Sequence, residues 1–191
     1  NTLILGSNIE RGRDTGVYST LTALDQGPQT IETPQNDYQI GQITWVNNPT
    51  NNTDQNFNAT FTLGLNFTQP AMQSLVEAIV FNIQQPTNPP GDTVSNLRIT
   101  SSSPLNTEFG GLTISDVRFS LVSGSSGSTY NAATGRWFNP EGNTAVLRVT
   151  ADFNETPVPE PASLAILGMG LVGLGMTRLR RGGKDRNGAA A

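Results

Sequence analysis

The chain has 191 residues, of which 14% are charged, and it has neither Cys nor His. That length allows one domain with a real core plus a tail. The missing residue types exclude a disulfide framework, a thiol site and the commonest general base. Residues 1–157 hold six Arg against thirteen Asp and Glu, a net −7, while residues 158–191 hold five Lys and Arg against two acids, a net +3. An acidic body excludes nucleic acid as a partner, because phosphates demand a basic face. Twenty Gly, twelve Pro and abundant Asn, Gln, Thr and Ser suit many short strands joined by turns.

The chain opens at Asn1 without an initiator Met or a basic-then-apolar leader, so a missing N-terminus is expected. Residues 1–14 are accordingly either the remnant of a leader or a first strand. A β-sandwich domain is expected over 15–154. Weak strand patterns occupy 15–24 and 38–46. The clearest signal is 57–67, where Phe57, Ala59, Phe61, Leu63, Leu65 and Phe67 alternate with polar or small residues. Segment 76–84 is read as a strand. A short helix over 71–81 fits the pattern, but β-branched content and Pro86, Pro89 and Pro90 weigh against it.

A further weak strand is expected over 96–101. In 112–121, Leu112 and Ile114 are followed by Val117, Phe119 and Leu121, so the phase slips near Ser115–Asp116 as a β-bulge would require. Residues 144–153 alternate again, with Ala145, Leu147, Val149, Ala151 and Phe153 inward. Turn-rich stretches fill 47–56, 86–93, 101–107 and 123–135. The fold class is therefore all-β, an antiparallel sandwich or jelly roll, with one C-terminal apolar helix.

Candidate chemistry in the body is sparse. Asp116 and Glu141 are the carboxylates to consider for acid–base work on a glycan, unless they are solvated or paired with Arg118 or Arg148. Trp45, Trp137, Phe138 and Tyr130 could make a sugar-stacking platform, although such residues more often plug a core. The loop Asn51–Asn56 with Asp54, and the turn Gly91–Asp92, could offer oxygens to Ca²⁺. Their spacing matches no EF-hand, ordinary turn chemistry is the stronger reading, and no metal site or cofactor is assigned. With no recognisable nucleophile motif, no catalytic residue is assigned either. Asn51, Asn58, Asn66 and Asn154 fit N-x-[ST] by composition alone.

The tail is more informative. A Pro-rich linker over 155–161 leads into an apolar run from Ala162 to Met176, then Arg178, Arg180, Arg181, Lys184 and Arg186. Fifteen helical residues span about 22 Å, short of a ~30 Å hydrocarbon core unless Leu179 and snorkelling arginines extend it. The arginines predict a helix over 162–181 whose basic end stays in the cytoplasm and whose body lies outside. Gly168, Gly170 and Gly173 spell G-x-G-x-x-G, but no strand precedes them, so small residues permitting close helix contact are the better account. Residues 182–191 read as a disordered tail.

The ordered pieces Pro159-Glu160-Pro161, apolar run and Arg178, Arg180 and Arg181 resemble the PEP-CTERM sorting signal of Gram-negative bacteria. That resemblance implies an exosortase as partner, cleavage near Pro159–Pro161, and transient inner-membrane anchoring before release to the cell surface or medium. The chain departs from the pattern in running ten residues past Arg181. The body resembles the choice-of-anchor K domain through residues 40–47, 63–70, 81–88 and 138–148. What the two resemblances imply together is a non-enzymatic surface or matrix protein associated with exopolysaccharide or biofilm. A carbohydrate-binding module and a secreted glycan hydrolase are the rival expectations.

Overall fold

The computed structural model describes residues 1–51, 55–86, 91–122 and 126–156. The helix expected over 162–181 and the tail beyond it lie outside the described residues. Residues Asn1–Thr156 form one compact unit, built as two antiparallel sheets. The strands are β1 (Thr2–Glu10), β2 (Arg13–Leu24), β3 (Gln35–Asn47), β4 (Gln55–Phe67), β5 (Gln73–Gln85), β6 (Asp92–Ser95), β7 (Thr107–Phe109), β8 (Leu112–Leu121), β9 (Thr129–Asn131), β10 (Arg136–Asn139) and β11 (Asn143–Glu155). A six-stranded sheet runs β1-β2-β3-β11-β8-β7, and a five-stranded sheet runs β4-β5-β6-β10-β9.

Period-two patterning sets both inner faces, because successive side chains of a strand point to opposite sides. In β11, Ala145, Leu147, Val149, Ala151 and Phe153 are all buried. Its pairing with β8 slips where Thr150 faces Arg118 but Asp152 faces Ser115, leaving Asp116 and Val117 opposite Ala151. This is the expected bulge, and Asp116 takes a positive φ of 51° in it. Segment 76–84 is a strand within β5, fully paired with β4.

The strand expected over 96–101 is not present; the strand lies just before it, as β6. Asn96 turns the chain at a φ of 66°, and the Leu97 N–H then donates to the Gly135 carbonyl instead of a ladder partner. Short strands β9 and β10 close the same sheet, β9 within a stretch read from sequence as turn. Residues 1–14 contain β1, paired with β2.

The core is deepest where Trp45 of β3 meets Trp137 of β10. Their ring centroids are 5.0 Å apart at an interplanar angle of 80°, the edge-to-face arrangement that aromatic quadrupoles favour. Trp45 is flanked by Leu21 and by the small Ala145, which leaves room for the indole. Trp137 is aligned with Val94, and Val94 with Ile83. Phe61 with Phe119, and Phe67 with Phe153, join the sheets elsewhere. Both tryptophan Nε1 atoms are buried without a hydrogen-bond partner, so packing rather than polar contact holds the pair. Truncation of Trp137 to Ala is expected to cost about 3–5 kcal/mol of folding stability, read as a lowered midpoint in urea unfolding followed by far-UV circular dichroism.

Candidate functional site

One end of the sandwich gathers five strand termini, each bearing a buried or half-buried polar side chain: Asn47 ends β3, Gln85 ends β5, Asp92 opens β6, Asn139 ends β10 and Asn143 opens β11. Asn47 and Asn139 stand two residues beyond the paired tryptophans and so share their inward faces. Asn47 Nδ2 donates to the Asn139 carbonyl at 2.7 Å, and Asn139 Nδ2 donates to the Trp45 carbonyl at 3.3 Å. Asn139 Oδ1 accepts from the Ser128 hydroxyl at 2.6 Å and from Asn143 Nδ2 at 2.9 Å. The Ser19 hydroxyl closes the network on Asn47 Oδ1 at 3.1 Å. Side chains from both sheets are thereby tied together where the apolar core stops.

Beside this satisfied network lies an unsatisfied one. Asp92 is 1% exposed and sits across the β6–β10 pairing from Asn139. Its Oδ2 accepts from Gln85 Nε2 at 3.3 Å. Gln85, 2% exposed, has no partner for its Oε1, and the buried Oε2 of Glu141 has none. An orphaned buried acceptor costs about 1–3 kcal/mol. Gly91 seals the floor: at its φ of 137°, a Cβ would stand 2.6 Å from the Asn139 carbonyl oxygen and 2.8 Å from the Pro140 Cα. Glycine is therefore required there.

Burial pushes the Asp92 carboxyl up to about 6, with the Gln85 hydrogen bond pulling the other way. Burial, with the Asp92 charge adding to it, pushes Glu141 up to about 7. Among the described residues neither acid forms an ion pair; the ion pairs seen are those of Arg118.

The residues singled out from sequence fall differently. Trp45 and Trp137 are both 0% exposed, so they cannot stack on a sugar; the expected platform is corrected, since inward alternation and their mutual contact place both in the core. Phe138 is half-buried, and half-buried Tyr130 packs on Phe119 and donates its hydroxyl to the Leu97 carbonyl at 2.8 Å. Asp116 is exposed and pairs with Arg118, which also holds Asp37, and this removes it as a free acid or base. Glu141 is not paired with Arg148, whose Nε is itself buried without a partner. Sequence reading set Asp92 aside as turn chemistry and missed Gln85. The signal available was an acid and an amide bordering Pro-rich turns, and nothing in it announced burial.

A cleft of about 280 Å³ lies between β1, β2 and β4, and one of about 760 Å³ lies under loop 25–33; neither is lined by Asp92 or Glu141. Among the described residues no group of three or more His, Cys, Asp or Glu converges on a metal position, and none forms a helix long and apolar enough to cross a membrane.

The fold defines an all-β body of two antiparallel sheets. Residues 157–181 match the PEP-CTERM protein-sorting motif. The chain thus carries a C-terminal sorting signal of exported proteins, with a membrane-anchored sorting step. Pro159, Glu160, Pro161, Arg178, Arg180 and Arg181 fall within the matched stretch, outside the described residues. No curated protein and no solved structure matches the chain.

Both raised carboxyl groups give the folded protein more bound protons than the unfolded chain between about pH 4 and pH 7. Stability therefore falls as pH rises through that window and levels off above it. In protein freed of divalent ions with EDTA, the melting temperature is expected to drop by several degrees from pH 4.5 to 7.5. Glu141→Gln flattens the upper part of the profile and Asp92→Asn the lower; a melting temperature that rises steadily over this range contradicts the assignment.

Proposed function

We propose that the chain is an exosortase substrate of a Gram-negative cell, whose body is a non-enzymatic, choice-of-anchor K type domain acting at the cell surface or in the matrix, in association with exopolysaccharide. The observation that carries this reading is the PEP-CTERM match at 157–181, placed directly after an all-β body. A Pro-Glu-Pro element, an apolar run and an arginine cluster together provide a recognition point, a membrane-inserting stretch and a cytoplasmic stop. The partner is then a membrane-embedded sorting protease that cuts near Pro159–Pro161 and frees the body from its tail.

The non-enzymatic reading draws support from the fate of the candidate residues. Asp116 is neutralised by Arg118. Asp92 is buried, and one carboxylate oxygen of half-buried Glu141 is wholly covered, which is a poor arrangement for an acid–base pair working on a polymeric glycan. The carbohydrate-module alternative loses both tryptophans to the core. The polysaccharide association rests on the resemblance of body and tail to matrix proteins.

Intact mass spectrometry of the mature protein from its native host tests the sorting step. A chain ending near Pro159–Pro161 is expected, and replacing Pro159, Glu160 and Pro161 by Ala leaves the tail attached. A mature wild-type chain that retains Ala162 through Arg181 overturns the reading and makes the tail a permanent anchor.

A further inference from the structure

Gln85, Asp92 and Glu141 come from three neighbouring segments of the five-stranded sheet. Gln85 ends β5, Asp92 begins β6 beside it, and Glu141 follows β10 by two residues, past the Asn139 that Asp92 faces. Gly91 packs directly on the 139–140 backbone, the segment that leads into Glu141. Buried Asp92 and half-buried Glu141 interact electrostatically, and no Arg is paired to either among the described residues. Acids elsewhere in the body are handled differently: Asp37 and Asp116 share Arg118, and Glu77 accepts from the Ser103 hydroxyl at 2.9 Å.

The orphaned atoms of Gln85 and Glu141 are of one kind. Gln85 Oε1 and Glu141 Oε2 are both acceptors, both buried, and both without a donor. Turning the Gln85 amide over does not help, because its oxygen would then face the Asp92 carboxylate and its N–H groups would be stranded in place of the oxygen. A cluster of acceptors that lacks donors is completed by a cation.

We propose that Asp92, Glu141 and the Gln85 amide oxygen form a Ca²⁺ site at the loop end of the sandwich. The donor set is oxygen throughout, as the chain has no Cys or His. Hard oxygen ligands select Ca²⁺ or Mg²⁺ over transition metals. Two carboxylates with a neutral amide oxygen, completed by backbone carbonyls and water, suit the irregular six-to-eight-fold shell of Ca²⁺ better than the strict octahedron of Mg²⁺. Two negative charges balance the ion, and the Gln85 oxygen gains the partner it lacks. Extracellular modules bind Ca²⁺ with Kd on the order of 10⁻⁴–10⁻³ M, a range that suits an exported body. The site is a property of the body and stands whether or not the tail is cleaved.

The full chain, stripped with EDTA and titrated with CaCl₂, provides the test, followed by thermal melting and by Tb³⁺ luminescence excited through tryptophan. Trp137 lies two residues before Asn139 on β10 and serves as the energy donor. Expected are tryptophan-sensitised Tb³⁺ emission displaced by Ca²⁺, and a melting temperature raised by ~5–10 °C at a hundredfold excess over Kd. Glu141→Gln and Asp92→Asn each weaken binding at least tenfold, while Asp116→Asn, whose carboxylate is already paired with Arg118, leaves it unchanged. Should Asp92→Asn fail to fold, Glu141→Gln and the wild-type titration decide the question. Absence of sensitised Tb³⁺ emission in Ca²⁺-free protein, together with no melting shift in CaCl₂ up to ~0.1 M, overturns the proposal, as does affinity undiminished in Glu141→Gln.

Discussion

The edge-to-face contact of Trp45 on Trp137 fixes more than the middle of the core. A strand repeats its facing every second residue, so a pair of large side chains that must point inward also decides which neighbours do. Two residues on from the tryptophans come Asn47 and Asn139, and each is carried onto the inner face by the same alternation. The Asn47 side chain then reaches the Asn139 backbone, and the Asn139 side chain reaches the Trp45 carbonyl. A slip of one residue in either sheet would expose an indole and break both hydrogen bonds. The register of the sandwich and the polar closure of its end are one constraint.

That closure takes the place of covalent staples. A chain without cysteine cannot pin its strand ends by disulfides, and a core of aliphatic and aromatic side chains ends wherever turns begin. Fully satisfied buried amides are suited to such a boundary, since each bond is directional and only one pairing satisfies them all. Asn139 illustrates the point, with its oxygen accepting from Ser128 and Asn143 while its nitrogen donates to two carbonyls. The adjoining Asp92, Gln85 and Glu141 obey the opposite rule. They crowd acceptors together where the satisfied network balances acceptors with donors, and the difference marks them out within a few residues of one another.

Much of the fold was legible because long strands repeat their signal. β4 and β11 each offer five or six alternations, and the phase slip at Ser115–Asp116 was visible because apolar residues flank it on both sides. β6, β9 and β10 have three or four residues each, too few to establish a period, and the expected strand at 96–101 landed just past the true one for that reason. Trp137 and Phe138 are adjacent, so alternation demands that one face inward, but nothing local says which. Pairing of Trp137 with Val94 decides it. The convergence of Asp92 with Glu141 was not legible at all, because they come from separate turns and meet only through the β6–β10 pairing.

The same contrast separates body from tail. A sorting signal is read as a linear segment by another protein, so its information has to reside in order and spacing: Pro-Glu-Pro, apolar residues, arginines. Such a segment is recoverable from sequence without any fold. The acid cluster has no linear existence; it forms when β5, β6 and β10 assemble and the tryptophans set their register. Sorting and whatever chemistry the body performs are therefore specified by different kinds of constraint. The first depends on the contiguous residues 157–181, and the second on side chains brought together from across the five-stranded sheet.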